Sequence, residues 1–538
     1  MKTLFAKYKT YFKEIPALYD YQVAVLKLLQ DGDNTLCIIP TGGGKSLIFQ
    51  LHGLNMEGVT LVVSPLLSLM SEQVRTLEAR GIKVLALNST INFNNQRKIL
   101  RTLNSKAYKF IYVSPERLQN SFFRAALLAS KINISFVVID EAHCISQWGS
   151  DFRPDYSQIP EFLNLLKQHE RLPQLFCLTA TLSKTARVDV QKAFHIKEAQ
   201  TYIHHSLLRK NFQLNFKEVK DEKEKPEILS NFLSKYSLEK IIIYLYSKRR
   251  CEELAKQFAK NYKTAYYHAG LDMKVKDTID KDFRKGKYNL LFATTAFGMG
   301  IDIPNIDSIV QLQIPNSVEE YYQQIGRGWR DKKISKTCFC LALWSKKNFS
   351  VRIKEFEAEK HVLGDFDLLF KKFTGSYKGI KAGAVINIAT DKLINASENL
   401  RLFRFKLQQK GIITPLVEVN GSPLSIKFKK PTKIWSDVQK FATEFDSFTF
   451  VSTKSNIPIR EIFKHLFEQE FIGNIDKIPS LERDFFFAIN QDIVSDKIKS
   501  EIIDELNLII DFKIARLKEL RTLYKSDEPE KYILSILN

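Results

Sequence analysis

The stretch Ile38 to Gln50, IIPTGGGKSLIFQ, limits what this chain can fold into more tightly than any other. Leu36-Cys37-Ile38-Ile39 is a short apolar run and predicts a buried strand. Gly42, Gly43 and Gly44 predict a turn that Cβ-bearing residues resist, and Lys45-Ser46 opens a helical pattern. Strand, glycine turn and helix start, in that order, build a phosphate cradle. Successive N–H groups point inward, and the helix N-terminus adds partial positive charge. Thr41, Gly42, Gly43, Gly44, Lys45 and Ser46 are therefore candidate nucleotide-binding residues. Lys45 would reach the β- and γ-phosphates, and the Ser46 hydroxyl would ligate Mg²⁺. The general pattern begins with a further glycine, which Cys37 to Pro40 do not supply, so a chance glycine turn competes with this reading of the stretch alone.

The chain on either side favours the cradle. Val59 to Ser64 and Phe110 to Ser114 are further apolar runs, followed by Pro65-Leu-Leu-Ser68 and Pro115-Glu-Arg-Leu118. Strands alternating with helices predict a parallel α/β sheet with its binding edge at the strand C-termini. Ser64, Pro65 and Ser114 sit at that edge and are candidate contacts for a nucleic-acid backbone. Phe136 to Ile139 runs straight into Asp140-Glu141-Ala142-His143. Carboxylates at the end of a buried strand are costly unless they face a cation or a partner. Asp140 is the second candidate Mg²⁺ ligand, Glu141 would polarise an attacking water, and His143 joins the catalytic candidates. A satisfied structural carboxylate pair is the alternative. Leu178-Thr-Ala-Thr181 ends another strand, and its hydroxyls could relay between a nucleotide site and a nucleic-acid path. Upstream, the amide of Gln22 offers donor and acceptor together and could read an adenine edge.

A chain of 538 residues suggests three or four domains, and 44% hydrophobic content is ample for buried sheets. The net charge of +21 points to a polyanionic partner, with a generally lysine-rich proteome as the bland alternative. No apolar run is long enough to cross a membrane, and the N-terminus spaces lysines among aromatics where a signal peptide has an apolar core. The expectation is an intracellular protein without membrane contact, cytoplasmic and nucleoid-associated if prokaryotic. The six cysteines are scattered in apolar settings and read as reduced core residues. Cys338-Phe-Cys340 has no second pair, so no zinc is expected.

Ordered blocks then carry a resemblance. After Gln22 come PTGGGKS, VVSPLLSLMSEQV, YVSPERL, IDEAHCISQWGSDFRPDY, LTAT, IIIYLYSKRRCEELA, YYHAGL, FATTAFGMGIDIP and YYQQIGRGWRD. Over roughly residues 15–345 the chain resembles the RecQ family of ATP-dependent DNA helicases, in helicase superfamily 2. The segment Cys144 to Pro154 resembles the family's aromatic-rich loop, which couples DNA contact to ATP hydrolysis. There Trp148 and Phe152 could stack on bases and Arg153 could meet phosphate. The resemblance places Asp302 near the ribose or the interlobe water network. It makes Arg327 and Arg330 the arginine fingers, with Gln323 assisting. It implies ATP and Mg²⁺ as cofactors and DNA, single-stranded or as a tailed duplex, as partner. It also implies 3′ to 5′ translocation with unwinding in repair, recombination or genome defence. A DNA-stimulated translocase that remodels protein–DNA complexes without separating strands is the alternative. Tyr19 departs from the arginine usual before the adenine-reading glutamine, and Trp329 and Lys332 from glycines near the fingers.

The expected fold is α/β: two tandem RecA-like parallel-sheet motor lobes, then a mostly helical or α+β C-terminal region. Lobe 1 is placed at 1–216 and lobe 2 at 217–345, with the mixed-charge run Lys217 to Glu227 as hinge. A helical connector and candidate winged helix follow at 346–433. The winged helix rests on a basic amphipathic helix, Glu398 to Lys410, then a hairpin signal turning at Asn420-Gly421 into lysine-rich Pro423 to Lys430. A helical domain of unknown role fills 434–538. There Ile503, Leu506, Ile510, Ile514, Leu517, Leu520 and Tyr524 recur at helical spacing. That stripe would dock on its own domain or form a seam for a protein partner.

Overall fold

Strands buried on both faces read as unbroken apolar runs, and two parallel sheets account for most of those in the sequence. The computed structural model describes residues 2–65, 67–87, 108–119, 132–146, 152–168, 172–204, 207–236, 238–297, 305–329, 336–374, 385–389, 398–419, 484–490 and 494–537, with isolated positions between them. Among the described residues, lobe 1 holds β1 (Thr35–Ile38), β2 (Val59–Val63), β3 (Val84–Leu87), β4 (Phe110–Val113), β5 (Ile134–Asp140), β6 (Gln174–Thr179) and β7 (Thr201–Ile203). Their order is β3-β4-β2-β5-β6-β1-β7, with every pairing parallel. Parallel pairing puts the strand C-termini along one edge, and that edge gathers Thr41, Ser64, Ser114, Asp140 and Thr179.

Lobe 2 contains β8 (Phe212–Glu218), β9 (Ile241–Tyr244), β10 (Thr264–Tyr267), β11 (Leu290–Ala293), β12 (Ser308–Gln311) and β13 (Cys338–Trp344). They run in the order β10-β11-β9-β12-β13-β8, again all parallel. This moves the boundary expected at 216/217. β8 pairs with β13 along its full length, from Phe212 opposite Cys338 to Glu218 opposite Trp344. The start of the charged run thus belongs to lobe 2, and the crossing between lobes lies earlier, after β7. An edge strand has one solvated side, so β8 alternates polar and apolar residues and resembles a linker in sequence. Further into the run, Lys225 is buried and donates to Leu312 O at 2.6 Å, which ties it to the lobe. The six cysteines are buried free thiols, as their apolar settings predicted.

Beyond lobe 2, β14 (Val385–Ala389), β15 (Ile413–Val419) and β16 (Asp484–Ile489) form an antiparallel sheet with β16 in the centre. Its strands come from both sides of the boundary expected at 433/434, so those segments share one small α+β domain. β15 pairs with β16 here, and the second arm of the expected hairpin, 423–430, lies outside the described residues. The helical stripe read near the C-terminus is a helix over Asp496–Tyr524, capped by the Ser495 hydroxyl accepting from Ile498 N. It serves two cores. Ile502, Ile503, Leu506 and Ile509 pack with the small domain, whereas Ile510, Ile514, Leu517, Leu520, Leu523 and Tyr524 pack with lobe 2. The Tyr524 ring stacks on Phe216 at 4.8 Å and lies 5.9 Å from Tyr321 and 6.0 Å from Trp344. Arg516 and Glu319 form an ion pair at 2.9 Å, at 9% and 5% side-chain exposure. A desolvated pair of this kind fixes register more than it adds stability. The chain itself covers the stripe, so it is no open seam for a partner.

Candidate active site

Between β1 and the helix Lys45–Asn55 the backbone curls as the glycines allow. Gly42 and Gly44 hold φ of 73° and 70°, in the left-handed region. A Cβ on Gly43 would lie 2.4 Å from Ile39 Cγ2 and 2.9 Å from Pro40 O, so no larger residue fits. Lys45 Nζ donates to Ile39 O at 2.9 Å and Pro40 O at 3.3 Å, inside the loop it would serve. Ser46 Oγ accepts from Gln73 Nε2 at 3.3 Å, and Gln73 in turn accepts from Tyr112 Oη at 2.8 Å. Gln22 is turned differently from its expected role. It is buried, its Nε2 donates to Gly43 O and Gly44 O at 3.4 and 3.3 Å, and its Oε1 accepts from Tyr19 N at 3.0 Å. Donor and acceptor are both engaged on protein backbone, so Gln22 braces the loop in this structure and is not open to a base. Tyr21 Oη adds a second brace, donating to Gly43 O at 2.9 Å.

β5 delivers Asp140 and Glu141 beside this loop. Glu141 takes φ 49°, a strained left-handed conformation for a residue with a side chain, which breaks the strand and re-aims the carboxylate. Burial, then the neighbouring Glu141 charge, push the Asp140 carboxyl up to about 7 against the opposing pull of Lys45 and Ser64. Burial also pushes Glu141 upward, but the adjacent His143 and the charges of Lys45 and Arg327 outweigh it and hold Glu141 at about 2. Glu141 Oε2 is buried without a hydrogen bond, 3.3 Å from His143 Nδ1. That orphaned oxygen, the Asp140 carboxylate and the Ser46 hydroxyl are hard oxygen donors near a glycine cradle, so the residues fit a magnesium-bound triphosphate. A divalent cation would reverse the upward shift of Asp140.

A polar chain leads from Glu141 across to lobe 2. His143 Nδ1 is 2.8 Å from Thr179 Oγ1, Thr179 Oγ1 donates to Thr181 O at 2.9 Å, and Gln323 Nε2 donates to Thr181 Oγ1 at 3.2 Å. The hydroxyls of Thr179 and Thr181 thus link the carboxylate to Gln323 of lobe 2, where the expected relay ran to a nucleic-acid path. Gln323 lies on the helix Val318–Ile325, which Ser317 caps by accepting from Glu320 N. The next turn carries Arg327 back toward Glu141. Thr41 Oγ1 donates to Gly326 O at 3.1 Å, and a Cβ on Gly326 would come within 2.4 Å of that hydroxyl. Trp329 packs inward, 7% exposed, and its backbone N–H donates to Ile306 O at 2.9 Å, so the residue fills lobe 2 and does not await a partner.

Arg209 escaped sequence reading because it is one of 81 Lys and Arg residues and stands in no motif block. Its Nη2 donates to Thr41 O and Gly326 O, both at 2.8 Å, and its Nη1 to Gly328 O at 2.5 Å and Trp329 O at 3.3 Å. One planar fork therefore ties the phosphate loop to the finger turn, a geometry that a lysine cannot copy. Arg209→Lys is expected to lower ATP turnover at saturating ATP by roughly tenfold, about one charge-assisted hydrogen bond's worth. Steady-state phosphate release checks this, and thermal melting separates it from unfolding.

The expected nucleic-acid contacts divide. Ser64 is buried and its hydroxyl donates to Asp140 Oδ2 at 3.3 Å, so it belongs to the nucleotide side. Ser114 is also buried, at 8% exposure, and presents little hydroxyl surface to a backbone. Pro65 is half-buried, and its carbonyl accepts from Arg153 Nη1 at 3.4 Å. Phe152 meets Phe405 edge-on with ring centroids 5.6 Å apart, so in this structure its ring contacts the small domain. Trp148, Asp302 and Arg330 lie outside the described residues.

With this geometry in view, comparison with known proteins is informative. Residues 19–188 match the DEAD/DEAH box helicase family and residues 224–332 the helicase conserved C-terminal domain. The chain is 37% identical over 339 residues to the ATP-dependent DNA helicase RecQ of Bacillus subtilis, covering 63% of this chain and 55% of that one. The chain is similar to the RecQ family of helicases. The RecQ of Pasteurella multocida is 40% identical over 303 residues, 56% of this chain and 46% of its own. The chain thus spans about half the length of these RecQ relatives. In fold alone, the Mycobacterium smegmatis helicase Lhr, solved with ssDNA and AMP-PNP, matches with a TM-score of 0.52 at 13% identity, over 98% of this chain and 93% of that one.

Proposed function

We propose that this chain is an ATP-dependent DNA helicase of RecQ type. It hydrolyses ATP between the lobes and uses closure and release of the cleft to step along single-stranded DNA, 3′ to 5′, opening duplex ahead of it. The observation that carries the reading is the bond between Thr41 of the phosphate loop and Gly326 beside Arg327, at 3.1 Å, because it puts one nucleotide site under the control of both lobes. Lys45 and the loop N–H groups hold the β- and γ-phosphates. Ser46 and Asp140 hold Mg²⁺, which when bound neutralises charge on the transferring phosphoryl group. Glu141, kept anionic by its neighbours, accepts a proton from the attacking water. Arg327 offers its fork to the charge that develops, and Gln323 carries the state of Glu141 to lobe 2 through the threonines. Arg330 and Asp302 take the second-finger and ribose-side roles that the family resemblance gives them. Trp148, Phe152 and Arg153 meet the DNA. The setting is intracellular, in repair, recombination or genome defence.

The test is ATP hydrolysis alongside strand separation on 3′-tailed, 5′-tailed and RNA duplexes. Separation of the 3′-tailed DNA alone, with hydrolysis stimulated by DNA, is the expected result. DNA-stimulated hydrolysis with no separation on any duplex would replace the helicase by a translocase. Equal stimulation by RNA would overturn DNA as the substrate.

A further inference from the structure

The helix Glu398–Gln409 looks amphipathic and basic in sequence, yet every residue from Leu402 to Leu407 is buried. A helix enclosed all round needs neighbours on all sides, and its cations are spent on them. Lys406 pairs with Glu505 at 2.7 Å, and Lys410 with Glu501 at 2.9 Å and Glu505 at 3.0 Å, on the long C-terminal helix. On the side toward lobe 1, Phe405 meets Phe152, and Arg404 lies 3.7 Å from Asp155 with both side chains largely withdrawn from solvent. The loop segment so gripped leads directly to the catalytic strand. Tyr156 is fully buried and donates its hydroxyl to Asp140 O at 2.7 Å. Beside the contact opens a cavity of about 400 Å³. Arg153 from lobe 1, Arg352 on the helix Lys346–Ala358 and Arg401 and Lys513 from the C-terminal region line it beside Phe152, together with the carboxylates Glu116, Asp155 and Glu359.

We propose that the helix Glu398–Gln409 competes with single-stranded DNA for the ring of Phe152, so that the small domain sets how much DNA is needed to switch on ATP hydrolysis. This rests on the reading of Phe152 as a base-stacking residue. A ring docked edge-on against Phe405 is withdrawn from a base, and DNA binds with an affinity reduced by the fraction of chains in which the ring is docked. Entry of DNA frees the ring, and the connection through Tyr156 reports that change to Asp140.

The experiment measures, in the full chain, the concentration of single-stranded oligothymidine that gives half-maximal ATPase stimulation. Phe405→Leu keeps core volume while losing the aromatic edge, and Phe405→Ala serves as the stronger variant, with thermal melting to confirm folding. Phe405→Leu is expected to lower the half-maximal DNA concentration by roughly three- to tenfold, the worth of one aromatic pair, with turnover at saturating DNA unchanged. In a Phe152→Ala background the same substitution should produce no shift. An unchanged or raised DNA requirement in folded Phe405→Leu overturns the proposal, as does a fall that persists without Phe152. If Phe152→Ala alone leaves the DNA requirement untouched, the base-stacking reading fails, a result distinct from failure of the docking.

Discussion

Glu141→Gln should reduce ATP turnover by roughly 10²- to 10⁴-fold, the range for loss of a general base, while nucleotide binding persists. The substitution keeps shape and one carbonyl oxygen but removes the basic site. The wild-type carboxyl is held at about 2 despite its burial, so it stays ionised at any physiological pH. The phosphate contacts proposed for Gly42 to Ser46 do not involve this side chain. Single-turnover phosphate release and binding of a fluorescent ATP analogue together check the result. Loss of binding as large as the loss of turnover would mean that Glu141 supports the fold of the loop and is no base.

Arg327→Ala is expected to cost about 10³- to 10⁵-fold in turnover, as removal of an arginine finger does, with the KM for ATP changed far less. Arg327 arrives from lobe 2, and its charge helps to hold Glu141 down, so it lies near the carboxylate without belonging to the phosphate cradle. Arg327→Lys should recover little, because a point charge does not span two oxygens as the guanidinium does. Steady-state kinetics with both variants decides the matter. A proportionate rise in KM, or full recovery by lysine, would reduce Arg327 to a binding contact.

The parts of the site legible in sequence are those whose chemistry is local. The glycine turn, the carboxylates at a strand end and the hydroxyls of Thr179 and Thr181 announce themselves because backbone geometry and burial leave few other uses for such residues there. Arg209, Gln73 and the inward turn of Ser64 were not legible, since each acquires its role from a partner more than 25 positions away. The fold shows the same division. Apolar runs gave the two parallel sheets, whereas the hinge expected from Lys217 begins inside the edge strand β8, and the helix read as amphipathic and basic is buried from Leu402 to Leu407. The polar residues of β8 face solvent as those of a linker do, whereas Arg404 and Lys406 of the helix are covered by neighbouring elements.

The helix Asp496–Tyr524 has 29 residues and therefore a length of about 43 Å at 1.5 Å per residue. One half is rooted in lobe 2 and the other in the small domain. Such a rod acts as a lever. Turning lobe 2 by about 5° would carry its far end through roughly 4 Å, on the 1.5 Å rise per residue, which is enough to part an aromatic contact. The cavity beside Phe152 is lined by Ile509, Lys513 and Arg516, about half way along the rod. A turn of lobe 2 is thereby passed to the region where the aromatic loop is held. Stiffness in one helix would then govern the timing between the two.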